Sequence, residues 1–299
     1  MVLTDARDYQ ILFLSLFLSL GVVTRDWSLQ PLAIAIVIST CLITQAIAVW
    51  LSARQPLNSF ARSSLKQPNF NWRSPLITAL GLCLLLRVDQ PWTMALAGSA
   101  AIASKFLFRV QQKHWFNPAN FGIIVVLLLT GNAWVSPGQW GDDIWLGLVF
   151  LGAGGLVLRK VGRWDTSLAF LVSYASLEAM RNLWLGWTWD VWLHRLTSGS
   201  LLVFALFMVT DPRSIPNRRL ARLLWASCIA LLTFVLQHQF FLSTAMFWSL
   251  FAIAPLTIVF DRIWPDRPFA WDQSVAAIPA DPEVSAASKT QPLLKNASA

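Results

Sequence analysis

The stretch Phe116-Asn117-Pro118-Ala119-Asn120 opens one apolar segment of the chain, and Thr210-Asp211-Pro212-Arg213-Ser214 closes another. Both are short polar breaks in a sequence of 299 residues, of which 56% are apolar and 13% charged. Polar backbone is unfavourable in hydrocarbon and persists there mainly where it lines a cavity. The composition therefore predicts a helical membrane protein, and the two breaks predict a site.

Charge-poor runs long enough to cross or enter a membrane recur along the chain. The fold class predicted is an all-α polytopic membrane protein with about ten transmembrane helices. The runs cover residues 9–24, 29–53, 74–86, 91–104, 117–133, 144–158, 166–180, 191–210, 223–237 and 240–260.

The basic residues predict the orientation of these spans. With both termini in the cytoplasm, 19 of the 23 Lys and Arg residues fall on the inner side, where such residues are retained during insertion. This predicts a multi-pass protein of the cell inner (plasma) membrane with both termini cytoplasmic. The net charge of +8 is spread over short loops, so membrane lipid and not nucleic acid is the expected partner.

Ten spans divide into two halves of five, and because five is odd the halves have opposite orientation. The expected architecture is two inverted five-helix repeats, about 1–133 and 144–264, within a membrane domain of residues 1–264. The third segment of each half, 74–86 and 196–210, is only roughly 20 to 23 Å long, shorter than the roughly 30 Å hydrocarbon core. Short segments at corresponding positions are expected where a site lies between two repeats. Residues 265–299 are rich in Pro, Ala and Ser and predict a disordered cytoplasmic tail.

The first polar break has the residue types of a helix start. Asn117 suits the N-cap. Pro118 suits the first turn, because the N–H that proline lacks would have no acceptor within the helix there. A well-made helix start is one interpretation, and a ligand site is the other. Asn120 favours the ligand site, because an amide one turn into a span must find a partner.

The second break has the residue types of a helix stop, with Thr210 and Asp211 before a proline and several arginines after it. Asp211 is interpreted either as a salt-bridge partner of those arginines or as part of a ligand or ion path. Upstream, Ser198, Gly199 and Ser200 are small and polar, and serve either close helix packing or hydrogen bonds to a ligand.

No residue pattern predicts a catalytic side chain or a metal site. His114, His194 and His238 lie near span ends instead of facing each other inside a bundle, and no Ser-His-Asp spacing, HExxH or Walker sequence occurs. Glu178 is interpreted as a rim ion pair with Arg181 or Arg195 in preference to a proton relay.

At these motifs the chain resembles the NqrB/RnfD family, the flavin-carrying membrane subunits of the sodium-pumping NADH:quinone reductase and of the Rnf electron-transport complex. Phe116 to Ala119 corresponds to the family's FNPA, and Ser198-Gly199-Ser200 followed by Met208 to Pro212 to its SGAT…ATDP stretch. The turn from Gly154 to Trp164 also corresponds. The resemblance runs from about Ser74 to Trp264.

The resemblance implies a subunit that binds flavin, either FMN or riboflavin, and passes electrons alongside other Rnf/Nqr-like subunits, with or without cation translocation. The cofactor-binding residues it implies are Asn117, Pro118, Asn120, Ser198, Gly199, Ser200, Thr210 and Asp211. Family members usually attach FMN to a threonine in the loop after the FNPA helix. Here residues 130–141 offer only an isolated Thr130, so non-covalent binding is expected.

Three functions follow as hypotheses. The first is the redox subunit of an oxidoreductase complex, in which the protein positions and tunes a flavin. The second is a solute or ion transporter of the inverted-repeat type, because polar breaks in paired repeats also form solute pathways. The third is an accessory membrane protein of a biosynthetic pathway.

Overall fold

The computed structural model of the protein describes residues 5–24, 31–54, 70–110, 113–136 and 144–269. The predicted tail lies, from residue 270 onward, outside the described residues. The described part is mostly helical, as the composition predicts.

Twelve α-helices, interrupted by one π-helical and one 3-10 turn, make up most of the described ranges. They are α1 (Ala6–Thr24), α2 (Pro31–Arg54), α3 (Arg73–Leu85), α4 (Pro91–Leu107), α5 (Pro118–Leu129), α6 (Ile144–Val161), α7 (Trp164–Trp184), α8 (Trp189–Leu196), α9 (Gly199–Val203), the π segment (Phe204–Met208), α10 (Arg219–Gln239), α11 (Ala245–Ile253), the 3-10 turn (Ala254–Leu256) and α12 (Thr257–Ile263).

Several of these helices are long and apolar enough to cross a membrane. Four meet that criterion by length and composition, and a fifth does so if α8 and the α9–π segment count as one bent span. The four cover residues Ala6–Val23, Pro31–Arg54, Arg219–Gln239 and Ala245–Ile263. At 1.5 Å per residue, 20 residues cover roughly the 30 Å of a hydrocarbon core. The chain therefore has the helices of a multi-pass membrane protein.

The helices that carry the predicted motifs are short or broken. The apolar helices α3 and α5 have 13 and 12 residues. Between α8 and the α9–π segment the axis bends by 50°. The predicted eighth span is thus two pieces that meet at Thr197 and Ser198, and its second piece ends immediately before the Thr210-Asp211-Pro212 break.

Two small antiparallel ribbons join helix ends. Strand β1 (Leu86–Val88) follows α3 and pairs with β4 (Ala133–Val135), which follows α5. Strands β2 (Arg109–Val110) and β3 (Lys113–His114) pair between α4 and α5. The first ribbon puts the C-terminal ends of α3 and α5 side by side. The second precedes the first polar break directly.

Close helix contacts hold α5 in position. A Cβ atom added at Gly122 would lie 2.4 Å from the Ala97 carbonyl oxygen of α4. On another face, a Cβ atom at Gly81 of α3 would lie 3.7 Å from the Cβ of Ala119. Small residues permit such approaches between membrane helices, where packing is a main source of stability.

Candidate functional site

Asn117 begins α5 as its residue type predicts. Its side-chain oxygen accepts a hydrogen bond from the backbone N–H of Asn120 at 3.0 Å, and Pro118 occupies the first turn. Its amide nitrogen donates to the carbonyl oxygen of Met208 at 3.2 Å, across to the π segment. Asn117 therefore both caps a helix and links the two polar breaks.

Asn120 is 1% exposed and links α5 to a third helix. Its amide nitrogen donates to the carbonyl oxygen of Phe247 in the first turn of α11, at 3.1 Å. Its side-chain oxygen is buried and accepts no hydrogen bond from the described part of the chain. Leaving a buried acceptor unpaired costs about 1 to 3 kcal/mol, and such a group is a natural partner for a ligand.

The π segment exposes carbonyl groups that side chains satisfy. The hydroxyl of Ser167 in α7 donates to the Ala205 oxygen, and Thr210 donates to the Leu206 oxygen at 2.7 Å. Together with the hydrogen bond from Asn117 to the Met208 carbonyl, these bonds replace backbone hydrogen bonds that a regular α-helix would form. π-Helical turns interrupt the regular ladder and often occur at functional sites. The Thr210 hydroxyl, in particular, provides a hydrogen-bond donor to a carbonyl near the end of the segment.

Asp211 lies three residues after the end of the π segment and is half-buried. Its carboxylate accepts the backbone N–H of Arg213 at 3.2 Å, and its carbonyl accepts the N–H of Ser214 at 3.0 Å. Burial raises the pKa of Asp211, while the Arg213 N–H and the charge of Lys105 act in the opposite direction. We call Asn117, Pro118, Asn120, Thr210 and Asp211 the FNPA–TDP junction.

The arginines after Asp211 pair with a different acid. Arg222 makes two hydrogen bonds with Asp165 at the start of α7, the shorter at 2.7 Å, and Arg219 lies 3.7 Å from the same carboxylate. Arg219 and Arg222 therefore pair with Asp165, whereas Arg213 interacts with the charge of Asp211. The Asp211 carboxylate interacts instead with the backbone N–H of Arg213, with the Ser214 side chain and with the charges of Lys105 and Arg213.

A second ion pair fastens the loop after Asp211. Lys113 of β3 lies 2.5 Å from Asp261 of α12 and also donates to the Ile215 carbonyl at 2.6 Å. The other oxygen of Asp261 accepts the backbone N–H of Asn217 at 2.8 Å. The loop that follows the TDP motif is therefore held by the segment that precedes the FNPA motif.

Aromatic rings gather beside the junction. Phe116 stacks on Phe251 of α11 with ring centroids 4.8 Å apart and an interplanar angle of 16°, and Phe108 meets Phe116 edge-on at 5.7 Å. Two ring nitrogens nearby, Nδ1 of His114 and Nε1 of Trp115, are buried without a hydrogen-bond partner in the described ranges. Flat apolar surface and unpaired polar atoms thus occur together here.

Ser198, Gly199 and Ser200 lie at the opposite end of the α9–π segment from the junction. Ten residues separate the two ends, which corresponds to about 15 Å of helix. The hydroxyls of Ser198 and Ser200 are 3.0 Å apart, and Gly199 and Ser200 are buried. The structure therefore brings five of the eight predicted site residues together and places these three apart.

Glu178 makes a separate buried cluster. It is 2% exposed, 3.4 Å from Arg195 and 2.6 Å from Nε2 of His238. The predicted pairing with Arg195 is present, and His238 was not anticipated because it is 60 residues away in sequence. Tyr174 donates to Gln237 beside it at 2.8 Å.

The sequence interpretation missed the residues that support the motifs. Ser167 lies inside an apolar run, and nothing in its neighbours indicates that it caps a carbonyl of another helix. Trp115 has the position of an interfacial anchor, so its place next to the junction gave no separate signal. Lys105 follows an apolar run, where the positive-inside pattern already accounts for a lysine, and it is 6% exposed.

The sequence pattern of the NQR2, RnfD, RnfE family matches residues 128–270. That range includes the Ser198–Ser200 stretch, the TDP motif and α10 to α12, and it begins after the FNPA motif.

Three relatives carry the same description, the RnfD subunit of an ion-translocating oxidoreductase complex. The chain is 30% identical to that of Stutzerimonas stutzeri over 144 residues, covering 48% of this chain and 40% of that protein. It is 29% identical to that of Pseudomonas paraeruginosa over 227 residues, covering 55% of this chain and 65% of that protein. It is 26% identical to that of Alcanivorax borkumensis over 230 residues, covering 55% of this chain and 66% of that protein.

The chain thus spans between 40% and 66% of the length of these relatives. Both comparisons agree with the resemblance inferred from FNPA and TDP. That resemblance is confirmed, and residues 128–270 are similar to the NQR2, RnfD, RnfE family.

Proposed function

We propose that this chain is a membrane subunit of an Rnf/Nqr-type electron transport system and binds a flavin, FMN or riboflavin, without a covalent bond at the FNPA–TDP junction. The observation that carries the proposal is the junction itself, where two motifs 91 residues apart in sequence meet through the hydrogen bond from Asn117 to Met208. The relatives described as subunits of an oxidoreductase complex support the same class of function.

The chemistry of the junction fits a flavin. An isoalloxazine ring has a flat face, carbonyl acceptors and an imide N–H donor. The stacked rings of Phe116 and Phe251 make the junction's surroundings flat and apolar, and within the described ranges the Trp115 N–H and the Asn120 side-chain oxygen have no hydrogen-bond partner. When bound, the flavin would supply the electron transfer, and the protein would position it and exclude water.

The proposal includes the finer architecture expected from the sequence. Ten spans in two inverted five-helix repeats, about 1–133 and 144–264, would place the short helices α3 and α9 at corresponding positions. The bend before α9 and the shortness of α3 support that correspondence. The protein would lie in the plasma membrane with both termini cytoplasmic, beside other subunits, with or without coupling to cation movement.

Purification in detergent tests the flavin. We expect a yellow protein that absorbs at about 450 nm, as oxidised flavins do. Denaturation should release the colour, because Thr130 is the only threonine among residues 130–136 and its hydroxyl donates to the Val126 carbonyl. The matched control Thr130→Val should retain its full flavin content.

Asp211→Asn provides the site test in the same preparation. Losing a hydrogen bond to a charged group should lower flavin affinity about tenfold or more, with an unchanged melting temperature of the flavin-free protein. A colourless wild-type preparation that takes up no added flavin would refute the proposal and favour a transporter or an accessory protein. Fluorescence that stays with the chain on a denaturing gel would refute non-covalent attachment.

A further inference from the structure

Lys105, in the last turn of α4, is a buried cation held by neutral groups. Its ammonium nitrogen lies 3.0 Å from the hydroxyl of Ser74 and 3.2 Å from that of Thr78, both on α3. No carboxylate of the described ranges forms an ion pair with it. Lys113, by comparison, has Asp261 at 2.5 Å.

A buried charge with only neutral partners is unusual in a structural role. Lysine is almost never fully buried unless it is paired, and packing hydrophobic residues in the same space is often at least as stable as a buried ion pair. Two hydroxyls stabilise the ammonium, and the charge of Asp211 acts on it without forming an ion pair. The position is therefore suited to receive negative charge from a ligand.

The contacts around Lys105 place it beside the FNPA–TDP junction. Thr78 is one turn before Gly81, which packs against Ala119 of the FNPA motif. The charge of Lys105 also acts on both sides of the junction. It counteracts the effect of burial on the pKa of Asp211, and it adds to burial in lowering the pKa of His114 to about 3.

We propose that Lys105 supplies the positive charge that stabilises the reduced form of the flavin bound at the junction. This rests on the function proposed above. A neutral flavin that takes up two electrons and one proton gains one negative charge. A cation close to the ring lowers the free energy of that form and so raises the reduction potential. Lys105 acts on the cofactor through its charge, while Ser74 and Thr78 position it.

The experiment compares Lys105→Met with Lys105→Arg and with Arg262→Gln, in full-length protein with flavin bound and dithionite as the reductant. Arg262 is exposed, and its replacement by Gln removes the same net charge. We expect Lys105→Met to weaken the binding of reduced flavin relative to oxidised flavin at least tenfold, which lowers a two-electron potential by about 30 mV. Lys105→Arg and Arg262→Gln should remain near the wild-type value.

A measurement on the wild type covers the case in which Lys105→Met does not fold. In mildly acidic buffer, the potential of the bound flavin should change by about 30 mV per pH unit, the slope for one proton per two electrons, while free flavin in the same buffer shows a steeper slope. Equal slopes, or a Lys105→Met potential equal to that of the wild type, would overturn the inference. In either case flavin would still be bound, so the proposed function would stand.

Discussion

Single side chains at the junction form hydrogen bonds with backbone carbonyls, Asn117 and Asn120 with those of other elements and Thr210 with one of its own segment. Asn117, Asn120 and Thr210 each form a hydrogen bond with a carbonyl group of a broken or newly started helix. In hydrocarbon these carbonyls have no water to accept from, so the amide and hydroxyl groups are required by the backbone geometry. A motif that looks like a ligand site therefore also has a structural function.

His114 gives a prediction at this scale. Burial, with the charge of Lys105 next, lowers its pKa from 6.5 to about 3, so the folded protein keeps the ring neutral. The unfolded chain takes up the proton as the pH falls below about 6.5, and stability is lost progressively between that pH and about 3. Replacing His114 with Gln should reduce this loss, by about 1 to 2 kcal/mol between pH 7 and pH 5.

The thermal midpoint of the two proteins in detergent, measured from pH 7 to pH 5, checks this. His194→Gln serves as the control for a general effect of removing a histidine. Parallel pH curves for the wild type and His114→Gln would contradict the prediction.

At the scale of the element, short helices depend on their neighbours for stability. An isolated helix of 12 residues is marginal, and α5 is held by close packing on α3 and α4. The approach at Gly122 is tight because the Ala97 backbone occupies the space of a side chain. The helix that carries the FNPA motif is thus fixed by its lateral contacts.

Gly122→Ala should separate α4 from α5. The added methyl group meets backbone, which cannot move aside as a flexible side chain can, so we expect a loss of about 1 to 3 kcal/mol. Gly155→Ala in α6 is the matched control, since no atom lies within 4 Å of its added Cβ. There the change should be neutral or stabilising by up to about 1 kcal/mol. Thermal midpoints and flavin content measure both, and equal effects would contradict the packing argument.

The elements that the sequence predicts well are those that have local signals. Asn117 and Pro118 mark a helix start by residue type alone, and the length of the apolar run sets α3 to within a residue. The π segment and the β1–β4 ribbon carry no such signal, because each depends on partners distant in sequence, such as Ser167 for Ala205. Lys105 carries no separate signal for a different reason, since a lysine at the end of an apolar run already satisfies the positive-inside pattern.

At the scale of the whole molecule, charged groups define one end of the bundle. The ion pair of Asp165 with Arg222 joins the starts of α7 and α10, and that of Lys113 with Asp261 joins β3 to α12. Partly buried pairs of this kind are screened less by salt than exposed ones. These two ion pairs connect segments that the distribution of Lys and Arg predicts to be cytoplasmic.

Cysteine labelling tests that assignment. In a Cys228→Ser background, which removes the exposed cysteine, an impermeant maleimide should label Arg218→Cys in inside-out vesicles and Trp184→Cys in right-side-out vesicles. The reason is the retention of Lys and Arg in the cytoplasm during insertion. The reverse labelling pattern would show that the topology is inverted. Labelling of both positions from one side would show that no span separates them.

The ion pair between Lys113 and Asp261 has a consequence for biosynthesis. Its partners are 148 residues apart, so the ribosome completes the FNPA helix long before the carboxylate that anchors the preceding ribbon exists. A nascent chain that stops short of α12 would leave the junction without this anchor. The contacts that fix the ribbon before the FNPA motif are therefore completed only when translation has nearly finished.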